Sequence, residues 1–163
     1  DFLKSFQLII PEEVFEEINE WEKIDSTGHL KLINWLNKNK IVAKKVNGTD
    51  NLPPSLGKGE KAAISLAIKE GVTAVFIDEK KGRIAAKALG LSPIGTIAVV
   101  KQQLIEKKTT AKECRQLILE LVKKGYRIKE ELLAEFLQQL ESTEDERSKA
   151  AIKKDIKWGL RGN

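Results

Sequence analysis

The sequence predicts an α/β fold in which a parallel sheet of short strands is flanked by helices, followed by a helical C-terminal extension. Three observations predict it. Short β-branched and aromatic runs, of which Thr73–Ile77 is the clearest, alternate with longer stretches of 3.6-residue apolar period. Gly, Pro, Asn and Asp punctuate the joints between them, as at Asn47-Gly48-Thr49-Asp50-Asn51. Beyond Gly95 only helical periods follow.

Taken in order, Asp1 to Phe6 reads as the end of a helix and Gln7 to Ile10 as a short buried strand. Pro11 opens the next helix in the first-turn position, where its missing N–H is harmless, with Glu12 and Glu13 favourable to the dipole. Val14, Ile18 and Trp21 make its inner stripe. A turn at Ser26-Thr27-Gly28 leads into a helix over His29–Asn37 with Leu30, Ile33 and Trp35 or Leu36 inward, and Ile41–Val46 reads as a strand. Gly57–Glu70 is a helix whose apolar stripe is Ala63, Ile64, Ala67 and Ile68. Strand Thr73–Ile77, helix Glu79–Leu89 and a short strand before Gly95 follow. A helix with Ile97, Val100, Leu104 and Ile105 apolar then runs to about Lys107. Thr110 caps a further helix that Gly125 ends, and another spans Lys129–Leu140. Residues 1–140 are expected to form one domain. Residues 141–163 are expected to form a helical arm, with Glu144–Glu146 at its head and Lys153, Lys154 and Lys157 at its tail, packing on the core or on a neighbour.

At 163 residues the chain can bury roughly 68–70% of its unfolded surface, so it needs neither disulfide nor metal to fold. The single cysteine, Cys114, rules out an internal disulfide and fits a reducing cytoplasmic setting; it shares a helical face with Leu117, Ile118 and Leu121, so core packing is expected of it. No apolar run approaches the ~18 residues of a membrane span. The net charge of +5 is compatible with a polyanionic partner without requiring one. His29 is the only histidine, which excludes His-rich zinc sites and argues against a Ser-His-Asp triad; a surface turn is expected for it. Gly57-Lys58-Gly59 lacks the spacer and Lys-Ser/Thr ending of a P-loop. Trp21, Trp35 and Trp158 read as core or interface residues. The chain contains no methionine and opens on Asp1, which suggests that residues lie upstream.

The chemistry concentrates in Leu52–Thr96. Glu60 heads a core-facing stripe, where an unpaired carboxylate is costly and a cation would remove the cost. Asp78 and Glu79 follow the carboxyl end of a strand, where ligands gather in open α/β sheets. Glu60 and Asp78 are therefore expected to converge at one rim. Each has a plainer role: Glu60 can reach back to the helix cap, Asp78 can cap the Glu79–Leu89 helix, and Thr96 can cap its own. Lys58, Lys80, Lys81 and Arg83 can meet a phosphate backbone or stand solvated.

The ordered run LIIPEEVFEEI, LGKGEKAAISLA, TAVFIDEKKGRIAAKALGL and PIGTIAVV, with the helix after Gly125, resembles the PIN-like family of prokaryotic nucleic-acid-binding proteins, relatives of toxin–antitoxin ribonucleases. The resemblance covers most of the chain. It implies a Rossmann-like PIN fold, bound Mg²⁺ or Mn²⁺, hydrolysis of RNA phosphodiester bonds and an antitoxin protein as partner. It maps the family's catalytic helix acid onto Glu60 and its acid at the strand end onto Asp78, with Glu79 as a further metal-binding acid and Gly95-Thr96 as the Gly-Thr of the next strand end. Lys58, Lys81, Arg83 and Thr96 are the expected nucleic-acid contacts. The family's opening strand, which carries its first metal-binding Asp, has no counterpart before Gln7. Hence two expectations stand: a ribonuclease completed by an upstream Asp, or a catalytically inactive PIN-like module that binds nucleic acid or protein. A sheet lacking that strand would expose edges, so a homodimer or strand donation is expected.

Overall fold

The computed structural model describes residues 7–48, 51–126 and 128–142. By internal contacts the chain falls into two compact units, one ending at Val99 and one starting at Val100.

In the first unit, β1 (Ile10–Pro11), α1 (Glu12–Glu20), a 3₁₀ turn (Trp21–Lys23), α2 (Ser26–Lys38) and β2 (Ala43–Lys44) precede α3 (Lys58–Lys69). Next come β3 (Ala74–Phe76), α4 (Lys80–Ala88), β4 (Ser92–Ile94) and the start of α5 (Thr96–Ile105). The strands pair in parallel, Ile10 opposite Ala43 and Pro11 opposite Lys44, then Ala74, Val75 and Phe76 opposite Ser92, Pro93 and Ile94. Parallel pairing follows from the helical crossovers α1–α2 and α4. Among the described residues the strands form two separate pairs rather than one sheet. Helix α3 packs on β1, β3, α1 and α4, so it is the element common to both pairs.

The core of this unit is Ile64 and Ala67 of α3 against Val75, Ile77, Ala86 and Leu91, with Leu56 from the preceding loop. Helix α3 buries Gly59, Ala62, Ile64, Leu66 and Ala67, a wider face than the expected stripe, because two strands and two helices all pack on it. Ile68, expected to face inward, is 50% exposed, since it lies outside that arc. The turns into β3 and β4 share one geometry. Gly71 and Gly90 adopt φ of 67° and 78°, and the residue after each donates its N–H back into the helix, Val72 to the Ala67 carbonyl and Leu91 to that of Ala86.

Three expectations about α2 are corrected. Ser26-Thr27-Gly28 is the first turn of the helix, because Asp25 caps it by accepting the Gly28 N–H at 2.8 Å. His29 is therefore buried rather than on a surface turn, with Nε2 3.4 Å from Asn19 Oδ1. Leu30 faces out at 57% exposed, and Leu36 is the apolar residue that α2 buries beside His29. Trp21, expected on the inner stripe, stands 38% exposed in the 3₁₀ turn, where the change of helical period rotates it off that face. The α2 end repeats the turn seen after α3 and α4, Ile41 N–H bonding the Leu36 carbonyl, but with Lys40 at φ 55° in place of glycine. A side chain there costs roughly 1–2 kcal/mol. Lys40→Gly is expected to raise stability by about 0.5–1 kcal/mol after glycine's own entropy cost, read as a higher urea midpoint at unchanged m.

The second unit holds the rest of α5, then α6 (Ala111–Lys123) and a helix α7 over 130–142. Thr110 caps α6 reciprocally: Glu113 N–H donates to Thr110 Oγ1 at 3.2 Å, and Glu113 Oε2 accepts from Thr110 N–H at 2.8 Å. The Thr110 N–H, then the Thr110 and Thr109 hydroxyls, hold the Glu113 carboxyl below its usual range. Cys114, Ile118, Phe136 and Leu140 are buried as the periodicity requires, whereas Leu117 and Ile105 are 46% and 71% exposed, off the packed faces. The expected arm over residues 144–159 and the helix end at residues 1–6 lie outside the described residues.

Candidate functional site

Glu60 is the third residue of α3, and Gly57 is its N-cap. The carboxylate divides its work. Oε2 accepts the Gly57 N–H at 3.0 Å, the plainer role expected of it. Oε1 is buried and has no hydrogen-bond partner. It points across to the first turn of α4, where a Cβ on Gly82 would fall 2.2 Å from it and 2.7 Å from Ile77 Cγ2. Glu60 thus reaches the carboxyl end of β3, where Ile77 leads into Asp78. A buried carboxylate oxygen without a donor is costly, and the positive end of α4 offsets only part of that cost.

Asp78 is exposed and turns toward the start of α5. Its Oδ1 accepts the Thr96 N–H at 2.7 Å and its Oδ2 the Thr96 hydroxyl at 2.5 Å. It therefore caps α5 and not α4; Glu79 occupies the N-cap of α4, without a side-chain bond. The sequence distance of 18 residues hid this pairing. The Arg83 guanidinium donates to the Asp78 carbonyl oxygen, which fixes that basic side chain beside the acid. Lys58, Lys80, Lys81 and Glu79 are exposed, each in or beside a helix's first turn.

Glu17 was not among the sequence candidates, yet the structure brings it to Gly59, the residue before Glu60. From α1 its Oε1 accepts the Gly59 N–H at 3.1 Å, and a Cβ on Gly59 would lie 2.7 Å from both of its carboxylate oxygens. In the sequence it is one of five acids in α1. The signal available was the Gly57-Lys58-Gly59 triplet, because a side-chain-free residue in a helix's first turn admits a close neighbour.

Carboxylates from three separate segments therefore stand at helix N-termini: Glu17 and Glu60 at α3, and Asp78 at α5. Among the described residues no three or more His, Cys, Asp or Glu side chains converge closely enough to hold a metal by themselves. Glu60, Asp78 and Glu79 are accordingly not a closed three-acid cage. Mg²⁺ and Mn²⁺ do not demand one, since such hard cations take one or two carboxylates and complete their shell with water and phosphate oxygens. The orphaned Glu60 Oε1 and an all-oxygen donor set fit such an ion.

Strands paired in parallel and joined by helical crossovers define an α/β domain. Comparison with protein families agrees. The family model DUF3368, described as a PIN domain, matches residues 3–142, and the chain belongs to this family of PIN domains. No characterised protein and no solved structure matches it. No helix among the described residues is long and apolar enough to cross a membrane.

Proposed function

We propose that this protein is a metal-dependent ribonuclease of PIN type, the toxin half of a toxin–antitoxin pair, acting in the cytoplasm. The observation that carries the site is the Glu60 carboxylate, with one oxygen anchored at Gly57 and the other buried without a donor beside the end of β3. Glu60 and Asp78 are the residues to hold Mg²⁺ or Mn²⁺, with Glu17 and Glu79 as further acids. A bound divalent ion supplies a low-pKa water as nucleophile and neutralises charge on the phosphate under attack. The chain's own groups do the rest. Thr96 steadies Asp78. Gly59 and Gly82 leave space for Glu17 and Glu60. Lys58, Lys81 and Arg83 offer positive charge to the RNA backbone.

A second reading has its own support. Glu17, Glu60 and Asp78 each also serve as a helix-end acceptor, so all three are explained in a catalytically inactive PIN module that binds nucleic acid or a protein partner. One assay separates the two. In the full chain, Mn²⁺-dependent cleavage of single-stranded RNA is expected, falling about 100-fold or more in Glu60→Gln and Asp78→Asn. Cleavage that survives both substitutions refutes the site, and RNA binding without any cleavage selects the inactive module.

A further inference from the structure

We infer that Thr96 is a positioning residue that sets the orientation in which Asp78 meets a divalent cation, an inference that rests on the metal-dependent reading above. An exposed aspartate ordinarily samples several orientations, since its terminal torsion is broad and water competes for both oxygens. Asp78 is not free to do so. One residue grips both oxygens, the Thr96 N–H on Oδ1 at 2.7 Å and the Thr96 hydroxyl on Oδ2 at 2.5 Å. The main-chain donor belongs to the first residue of α5, so the helix fixes it. The hydroxyl is carried by a β-branched side chain with few rotamers, so it is nearly as fixed. Gly95 completes the device: a Cβ there would stand 3.1 Å from Asp78 Oδ1, closer than most such contacts tolerate.

The grip leaves the carboxylate chemically available. Two oxygens offer about four acceptor positions. Thr96 fills one on each, and the exposed carboxylate keeps a further acceptor position on each oxygen. Partners that orient a metal-binding carboxylate are worth roughly 10–100-fold in metal affinity. A mere helix cap would stabilise α5 equally well without any effect on a cation.

The test is a titration of the full chain with Mn²⁺ alone, read by loss of the free-ion electron paramagnetic resonance signal, with thermal melts in parallel. Thr96→Val keeps the main-chain bond and the branched shape but removes the hydroxyl. It is expected to weaken Mn²⁺ binding about tenfold or more, whereas Thr96→Ser retains wild-type affinity. Gly95→Ala leaves both donors in place and crowds the carboxylate; it is expected to weaken binding too, and it decides the matter if Thr96→Val does not fold. Thr96→Val with a lowered melting temperature and unchanged Mn²⁺ affinity overturns the inference, as does a folded Gly95→Ala that binds normally. If Asp78→Asn abolishes binding while both of those variants bind as wild type, the metal site stands and only the role of Thr96 falls. If the wild-type chain binds no Mn²⁺, the site itself fails and the inference goes with it.

Discussion

Gly82→Ala is expected to destabilise the protein, although the same change in an ordinary helix strengthens it. Alanine is favoured over glycine within a helix by roughly 0.5–1 kcal/mol. Here the added methyl would sit 2.2 Å from Glu60 Oε1 and 2.7 Å from Ile77 Cγ2, inside both contact distances. The side chains must move or α4 must shift, and overpacking of this kind costs typically 1–3 kcal/mol. The sign reverses: a net loss of about 1–2 kcal/mol, lowering the melting temperature by several degrees for a chain of this size. Because the clash is chiefly with Glu60, it should be coupled to that residue. Glu60→Ala in the same chain is expected to recover part of the loss, a coupling of roughly 0.5 kcal/mol or more in a double-mutant cycle. Strict additivity would show that the Glu60 carboxylate does not lie over α4. On the metal-dependent reading, Gly82→Ala is expected to weaken Mn²⁺ binding as well, since the displaced oxygen is the one left without a donor.

The second large effect is expected in the core. Ile64 is wholly buried, at 0% exposure, among Ala67, Val75, Ile77, Ala86 and Leu91. Ile64→Ala removes its apolar contacts and leaves a cavity that strands β3 and β4 cannot close without losing their pairing. A loss of about 2–5 kcal/mol is expected. That is a large part of the roughly 5–15 kcal/mol by which domains of this kind are stable. Urea denaturation should show a lower midpoint at unchanged m. The contrasting control is Ile68→Ala, one turn further along α3 and half exposed, which should lie within about 1 kcal/mol of wild type. Equal losses at the two positions would mean that α3 is rotated from the orientation described here.

These two positions also mark how much was legible before any coordinates. Position 64 was assigned to the core from its period alone, correctly. Position 68 shares that period and is not buried, because a helix packed by both strands and helices buries an arc whose edges depend on the neighbours. His29 was misplaced for a related reason. Gly28 suggested a turn, but Asp25 accepts its N–H and draws Ser26-Thr27-Gly28 into the helix, so the residue after them packs inward. Caps three residues apart, Gly57 with Glu60 and Thr110 with Glu113, could be read directly, since both partners lie within one turn.

The sequence by itself determined the element order and the α/β class, because periodicity, caps and turn residues are written within a few neighbouring residues; its resemblance to PIN-like proteins pointed to the family and to Glu60 and Asp78 as candidate acids. Only the tertiary structure decided what those acids touch. Asp78 is held by Thr96, 18 residues on, and Glu17 reaches Gly59 across 42 residues. Gly82 admits Glu60 by having no side chain at all. Such pairings join segments that the chain's local pattern leaves independent, and they exist only once β3, α3, α4 and α5 have been packed into place.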